Sequence, residues 1–97
     1  MAVTSVSRWK GDPENTGLAK EIAPILKKHG AVSVRLGFCT AGAYAGQTFG
    51  VLTFPDWASY GRAMQGLLED PDYKRMIGQL SKTFELQERS LMVTEDL

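Results

Sequence analysis

Hydrophobic and polar positions along the chain switch between a period of two and a period of about 3.6, the signatures of strand and helix. Residues 2–10, AVTSVSRWK, mix β-branched and polar side chains and read as a first strand. In GDPEN, Asp12 is placed to cap a helix with Pro13 in its first turn. Leu18, Ile22, Ile25 and Leu26 then recur at helical spacing. Pro24 lies inside that run and removes one backbone donor, which predicts a kink. Lys27, Lys28 and His29 complement the negative end of the helix dipole, and Gly30 suits the residue after it.

Residues 31–40, AVSVRLGFCT, alternate: Val32, Val34, Leu36 and Phe38 point one way, and Ser33, Arg35, Gly37 and Cys39 the other. GQTFGVLTF is apolar on both faces, with Phe49 and Val51 opposite Leu52 and Phe54, as for a strand covered on both sides. Asp56 caps a second helix whose inward stripe is read as Trp57, Tyr60, Met64, Leu67 and Leu68. Asp70 and Pro71 start a short third helix carrying Tyr73, Met76, Ile77 and Leu80. In the closing strand FELQERSLMV, Phe84 and Leu86 share one parity while Leu91 and Val93 share the other. That change of face predicts a bulge or a segment meeting another surface.

The order β-α-β-β-α-(α)-β is the split pattern of an α+β, ferredoxin-like domain: a four-stranded antiparallel sheet with helices on one face. The 97 residues make one domain spanning 1–97. A chain of this size buries limited apolar surface alone, and its third strand is apolar on both faces, so a homodimer packed through the sheets is expected. Eleven basic and eleven acidic residues balance to zero, which argues against nucleic acid as a partner. No apolar run is long enough for a membrane span, and the first residues lack the layout of a signal peptide. One cysteine, Cys39, cannot form an internal disulfide, and a cytoplasmic protein is expected.

The element order, with APILKKHGAVSVRL and AGQTFGVLTFPDWASYGRAM, resembles the dimeric α/β-barrel superfamily, especially its antibiotic-biosynthesis-monooxygenase-like and NIPSNAP-like members. The resemblance covers nearly the whole chain. It implies two chains forming one barrel, and a range of activities from cofactor-free oxygenases and isomerases to haem degradation, because fold does not fix function. Haem-degrading members use an Asn on the first strand with a Trp and a His around the second helix. Trp57 matches that Trp in type, but the first strand offers Ser5 and Ser7 and the second helix holds no His. Quinone-forming oxygenases hold a phenolic substrate with Trp, Tyr, Arg and Asn, and Trp57, Tyr60 and Arg35 are similar in type.

The residues themselves narrow the chemistry. The glycine-rich GFCTAGAYAGQ lies between two strands with no helix start after it, so it reads as a hairpin loop and not a phosphate cradle, with Tyr44 at its tip. His29 is the only histidine and stands where a helix end selects it; with no Cys, Asp or Glu in ligand spacing it predicts no metal site. Cys39 reads as a small filler, and no Ser sits in a nucleophile elbow. Arg35, mid-strand on the face opposite Val34 and Leu36, either pairs with Glu85 or Glu88 or binds an anionic or enolate-like ligand. Gly61 lies among Trp57, Tyr60 and Met64, and a glycine there predicts either close packing or a cavity between helix and sheet. The candidate ligand-binding set is therefore Arg35, Trp57, Tyr60, Gly61 and Met64. The reading is a small aromatic or polyketide-like ligand handled by cofactor-free monooxygenase or isomerase chemistry, with a non-catalytic ligand-binding or structural homodimer as the alternative.

Overall fold

Register across the sheet explains which side chains meet. The computed structural model describes residues 1–97. Strand β1 (Ala2–Gly11) leads to helix α1 (Gly17–Lys28), then the hairpin of β2 (Ser33–Phe38) and β3 (Thr48–Phe54). Helices α2 (Trp57–Glu69) and α3 (Pro71–Leu80) follow, and β4 (Phe84–Thr94) closes the chain. The strands form one antiparallel sheet in the order β2-β3-β1-β4. This is the ferredoxin-like α+β arrangement expected from the element order.

On the helix-facing side, directly opposed residues form rows. Val3 lies between Phe54 and Val93; Ser5 lies between Leu52 and Leu91; Ser7 lies between Gly50 and Arg89; Trp9 lies between Thr48 and Leu86. Strand β2 extends the rows with Val34, Leu36 and Phe38. The Val3–Phe54 end is the core. Phe54 is wholly buried and packs with Ile22, Leu26, Ala31, Ala63, Leu67 and Met76. The register of β1 on β4 shifts between Arg8 and Trp9, leaving Gln87 as the extra residue. That bulge places Phe84, Leu86, Leu91 and Val93 all on the helix side, so the parity change in the sequence is absorbed locally.

The helix ends follow their capping residues. The Asp56 carboxylate accepts from the Ser59 amide at 2.7 Å, and Asp70 Oδ1 accepts from the Asp72 and Tyr73 amides. Gly30 follows the C-cap of α1 at φ 112°, a conformation that a side chain would strain. Asp12 departs from expectation. Its carboxylate accepts from Glu14 N and its carbonyl from Asn15 N, so it closes a local turn and α1 starts later, at Gly17. Helix α1 runs through Pro24, which stands on its exposed side.

Helix α2 is rotated from the predicted stripe. Ala63 and Leu67 are buried and Tyr60 and Met64 pack beside them, while Trp57 is 54% and Leu68 71% exposed. Two Gly–aromatic features thereby separate. Gly61 faces solvent, and a Cβ there would meet nothing within 4 Å. Gly66 lies under the His29 ring, where a Cβ would sit 2.6 Å from Nδ1.

Candidate functional site

Small and polar residues break the apolar helix-facing surface at the Trp9 end of the sheet. Ser7, Gly50 and Thr48 stand where the other end carries Val3, Phe54 and Leu52. Side chains this short leave space, and helices α1 and α3 roof it. A chamber of about 100 Å³ opens between the sheet and these helices, bordered by Ser7, Trp9, Leu36, Gly50, Tyr73 and Arg89 among others. An adjoining chamber of about 50 Å³ shares Trp9, Ala19, Leu36, Gly50 and Leu80 with it and ends at Asn15, Thr16 and Thr48. Outside lies an open groove of about 830 Å³ between α3 and β4. Trp9, Tyr73, Ile77 and Arg89 border both groove and inner chamber, so these four form the neck between them.

The neck is held by short-range chemistry. Trp9 Nε1–H donates to Ser7 Oγ at 2.8 Å, which orients the indole, and Ser7 Oγ–H donates to the Gly50 carbonyl at 3.4 Å. A Cβ on residue 50 would come within 2.9 Å of Ser7 Oγ, so glycine permits this arrangement. Arg89 stands opposite Ser7 and makes no ion pair within the chain. Burial raises the Tyr73 phenol above its usual range, partly offset by the nearby Arg89 charge. The polar side chains bordering the chamber are hydroxyls, one indole N–H and the guanidinium groups of Arg35 and Arg89.

The residues expected from the sequence are placed elsewhere, with one exception. Arg35 borders the inner chamber, although its register opposite Val51 directs it to the uncovered sheet face and it is exposed. It has no ion pair in the chain: Glu85 and Glu88 lie on the opposite edge strand, and Glu88 is held by Arg8 at 3.4 Å. Trp57 and Tyr60 stack edge-on at 6.0 Å, and Tyr60 continues onto Phe54 at 5.4 Å. No cavity is lined by Trp57, Tyr60, Gly61 or Met64. The predicted hollow beside Gly61 is absent because the rotation of α2 turns that position outward.

Two other polar groupings are structural. His29 Nε2 lies 2.7 Å from Asp70 Oδ2, tying the end of α1 to the α2–α3 junction, and Lys28 approaches the same oxygen at 3.8 Å. The hydrogen bond from His29, with those from the Tyr73 and Asp72 amides, holds the Asp70 carboxyl below its usual range against the effect of burial. On the uncovered face, the Arg8 guanidinium stacks on the Tyr44 ring at 3.9 Å and donates to Gln47 Oε1 at 2.9 Å. Tyr44 thus lies over Arg8 and against Phe49. The loop closes by Cys39 N to Gln47 O and Gly46 N to Cys39 O, with Gly42 and Gly46 at positive φ, as a hairpin turn requires.

The match to a known family model runs from residue 4 to residue 93, nearly the whole chain. The chain belongs to the DUF6854 family, a domain of unknown function. No curated protein matches its sequence. Among solved structures, this DUF6854 chain is similar to a variant of SnoaB, a cofactor-independent oxygenase from Streptomyces nogalater. The TM-score is 0.75 at 17% identity, over 99% of this chain and 95% of that one. A NIPSNAP family protein from Agrobacterium tumefaciens matches with TM-score 0.70 at 18% identity, covering 99% and 95%. A dimeric ferredoxin-like protein from an uncultured marine organism matches with TM-score 0.70 at 17% identity, covering 98% of each chain. These likenesses establish the shared fold expected from the sequence. No helix of the chain is long and apolar enough to cross a membrane.

Sequence reasoning missed Trp9, Thr48, Tyr73 and Arg89 as site residues. A signal for Trp9 was present: Ser5, Ser7 and Trp9 share the parity of Val3, so the core-facing side of the first strand turns small and polar before an indole.

Proposed function

We propose that this chain is a homodimeric small-molecule protein. It takes a small aromatic, polyketide-like ligand into the chamber beside Trp9 and oxygenates it without a cofactor. The observation that carries the reading is the neck: an oriented indole, a half-buried phenol and an unpaired guanidinium between an open groove and a half-closed apolar chamber. A flat ring fits against Trp9, and Arg89 stabilises negative charge on a phenolate or enolate. An electron-rich anion of that kind can reduce dioxygen directly, so the protein's part is to hold the anion and exclude bulk water. For an anthrone the balance is a ring methylene plus O₂ giving a ring carbonyl plus water. The methylene carbon is oxidised by four electrons, and dioxygen supplies the carbonyl oxygen and the oxygen of the water. The likeness to a cofactor-independent oxygenase adds support to this class of reaction. The lone free Cys39 fits a reducing, cytoplasmic setting.

The homodimer rests on the uncovered sheet face. All three helices lie on one side, and the other presents Val6, Phe49, Val51 and Met92. Sheet-to-sheet packing of two copies would bury this face, with at least about 1,000 Å² in total expected of a stable interface. Arg35 lies on the same face, where the partner's surface can supply its counter-charge.

A non-catalytic binder is the second reading, favoured by one observation. The chamber borders contribute no carboxylate or imidazole to act as base, and His29 and Asp70 bond each other elsewhere. Oxygen uptake with a hydroxylated anthrone separates the two. The oxygenase reading expects one O₂ consumed per quinone formed, with the rate falling at least about tenfold in Arg89→Met. Saturable binding with no uptake above the protein-free rate would leave the binder. No saturable binding would end both.

A further inference from the structure

The large apolar residues that the sheet leaves exposed all lie on its two edge strands: Leu36 and Phe38 on β2, and Leu86, Leu91, Met92 and Val93 on β4. The inner strands β1 and β3 expose none. A free edge with apolar side chains is a template for pairing, and edges that stay unpaired are blunted by charge, proline or cover. Flat stacking of two uncovered faces would reach Met92 but not the others, which point to the helix side; a strand laid along each edge flanks them all. The edges also differ in charge on the uncovered face. On β2 that face carries Arg35, which has no ion pair in the chain. On β4 it carries Glu88, whose side chain is 59% exposed although one oxygen lies 3.4 Å from Arg8. The other charges of this face have company within the chain: Arg8 meets Tyr44, Gln47 and Glu88, and Lys10 stands opposite Glu85 in register.

A second copy of the chain supplies the missing strands. Strands β2 and β4 run in opposite directions at opposite edges. A two-fold axis parallel to the strands therefore sets β2 of each copy antiparallel to β4 of the other, and one operation makes both seams. An axis across the strands would bring each edge onto itself, Arg35 towards Arg35 and Glu88 towards Glu88, and like charges facing each other across an interface are unfavourable. We propose that the homodimer closes along two β2–β4 seams, with Arg35 of each copy paired to the partner's Glu88. Register permits the pair. Arg35 stands in the row of Val51, Val6 and Ser90, and Glu88 lies in the next row. That step is about 7 Å along a strand, which an arginine and a glutamate side chain span together. Leu86 and Arg89 form the β4 wall of the outer groove, so the partner's β2 extends that wall and the groove is complete only in the dimer. This inference rests on the homodimer reading given above.

The test measures dimer dissociation constants by sedimentation at low salt for the wild-type chain, Arg35→Glu, Glu88→Lys and the double variant. Each single reversal sets two like-charge pairs in the seams and should weaken the dimer at least about tenfold. The double variant restores opposite charges at both seams and should recover most of that loss. If a reversed variant does not fold, Arg35→Met and Glu88→Gln each remove the pair more gently and should weaken the dimer in the same direction. Single variants that dimerise as tightly as the wild type would overturn the seam arrangement while leaving a homodimer of another geometry. Weakening by the single variants without recovery in the double would overturn the pairing of Arg35 with Glu88. A wild-type chain that stays monomeric at about 100 μM would overturn the homodimer reading and this inference with it.

Discussion

The same strands build two unlike ends of one sheet face. At one end Val3 and Phe54 are fully buried, Phe54 packed with Ala31, Ala63, Leu67 and Met76, and His29 locks to Asp70 beside them. At the other, Ser7, Gly50 and Thr48 meet α1 and α3 across a hollow. Two things change between them: side-chain volume falls, and the bulge at Gln87 shifts the register of β4 on β1. The packed end holds the fold through burial, and the hollow end gives up that burial for space around an oriented Trp9. A domain of this size has little stability to spare, so the two ends should respond to substitution in opposite ways.

Phe54→Ala should be the most damaging change, since it empties the centre of the packed end. A loss of about 3–5 kcal/mol is expected from a denaturant melt. Gly66→Ala comes next. Its methyl would press on the His29 ring, which the 2.7 Å contact to Asp70 holds in place, and a cost of about 1–3 kcal/mol is expected. Acid should act on the same lock. The folded Asp70 carboxyl titrates below its unfolded value, so its contribution is fully present above the ordinary aspartate range and is lost as pH falls through the lower folded value. Melts at decreasing pH should show that acid loss in wild type and a shallower one in Asp70→Asn. The smallest effect belongs to Gly61→Ala on the open side of α2, neutral or stabilising by up to about 1 kcal/mol. Thermal melts of the two glycine variants side by side test the rotation of α2.

The fold was legible because each local signal agreed with the next. Asp56, Asp70, Pro71 and Gly30 mark helix ends by chemistry that works over a few residues, and the order of elements leaves few topologies. The site was less legible because it depends on register. Arg89 reaches the neck only through the bulge at Gln87; by simple alternation it would share a face with Glu85 and point away from Leu86. Trp57 drew attention as an aromatic beside a glycine, yet a helix stripe is broad. Centring it on Ala63 instead of Gly61 turns Trp57 and Leu68 to its rim.

The central claim is that the hollow end, and not the Gly61 face of α2, receives the ligand. The two tryptophans mark these two places, and each has one indole N–H resonance. A nitrogen–proton correlation spectrum recorded during titration with phenol reads both at once. The account predicts saturable shifts of the Trp9 indole and of the Gly50 and Thr48 amides, with the Trp57 indole unmoved. Movement of Trp57 and Gly61 with Trp9 unmoved would contradict it.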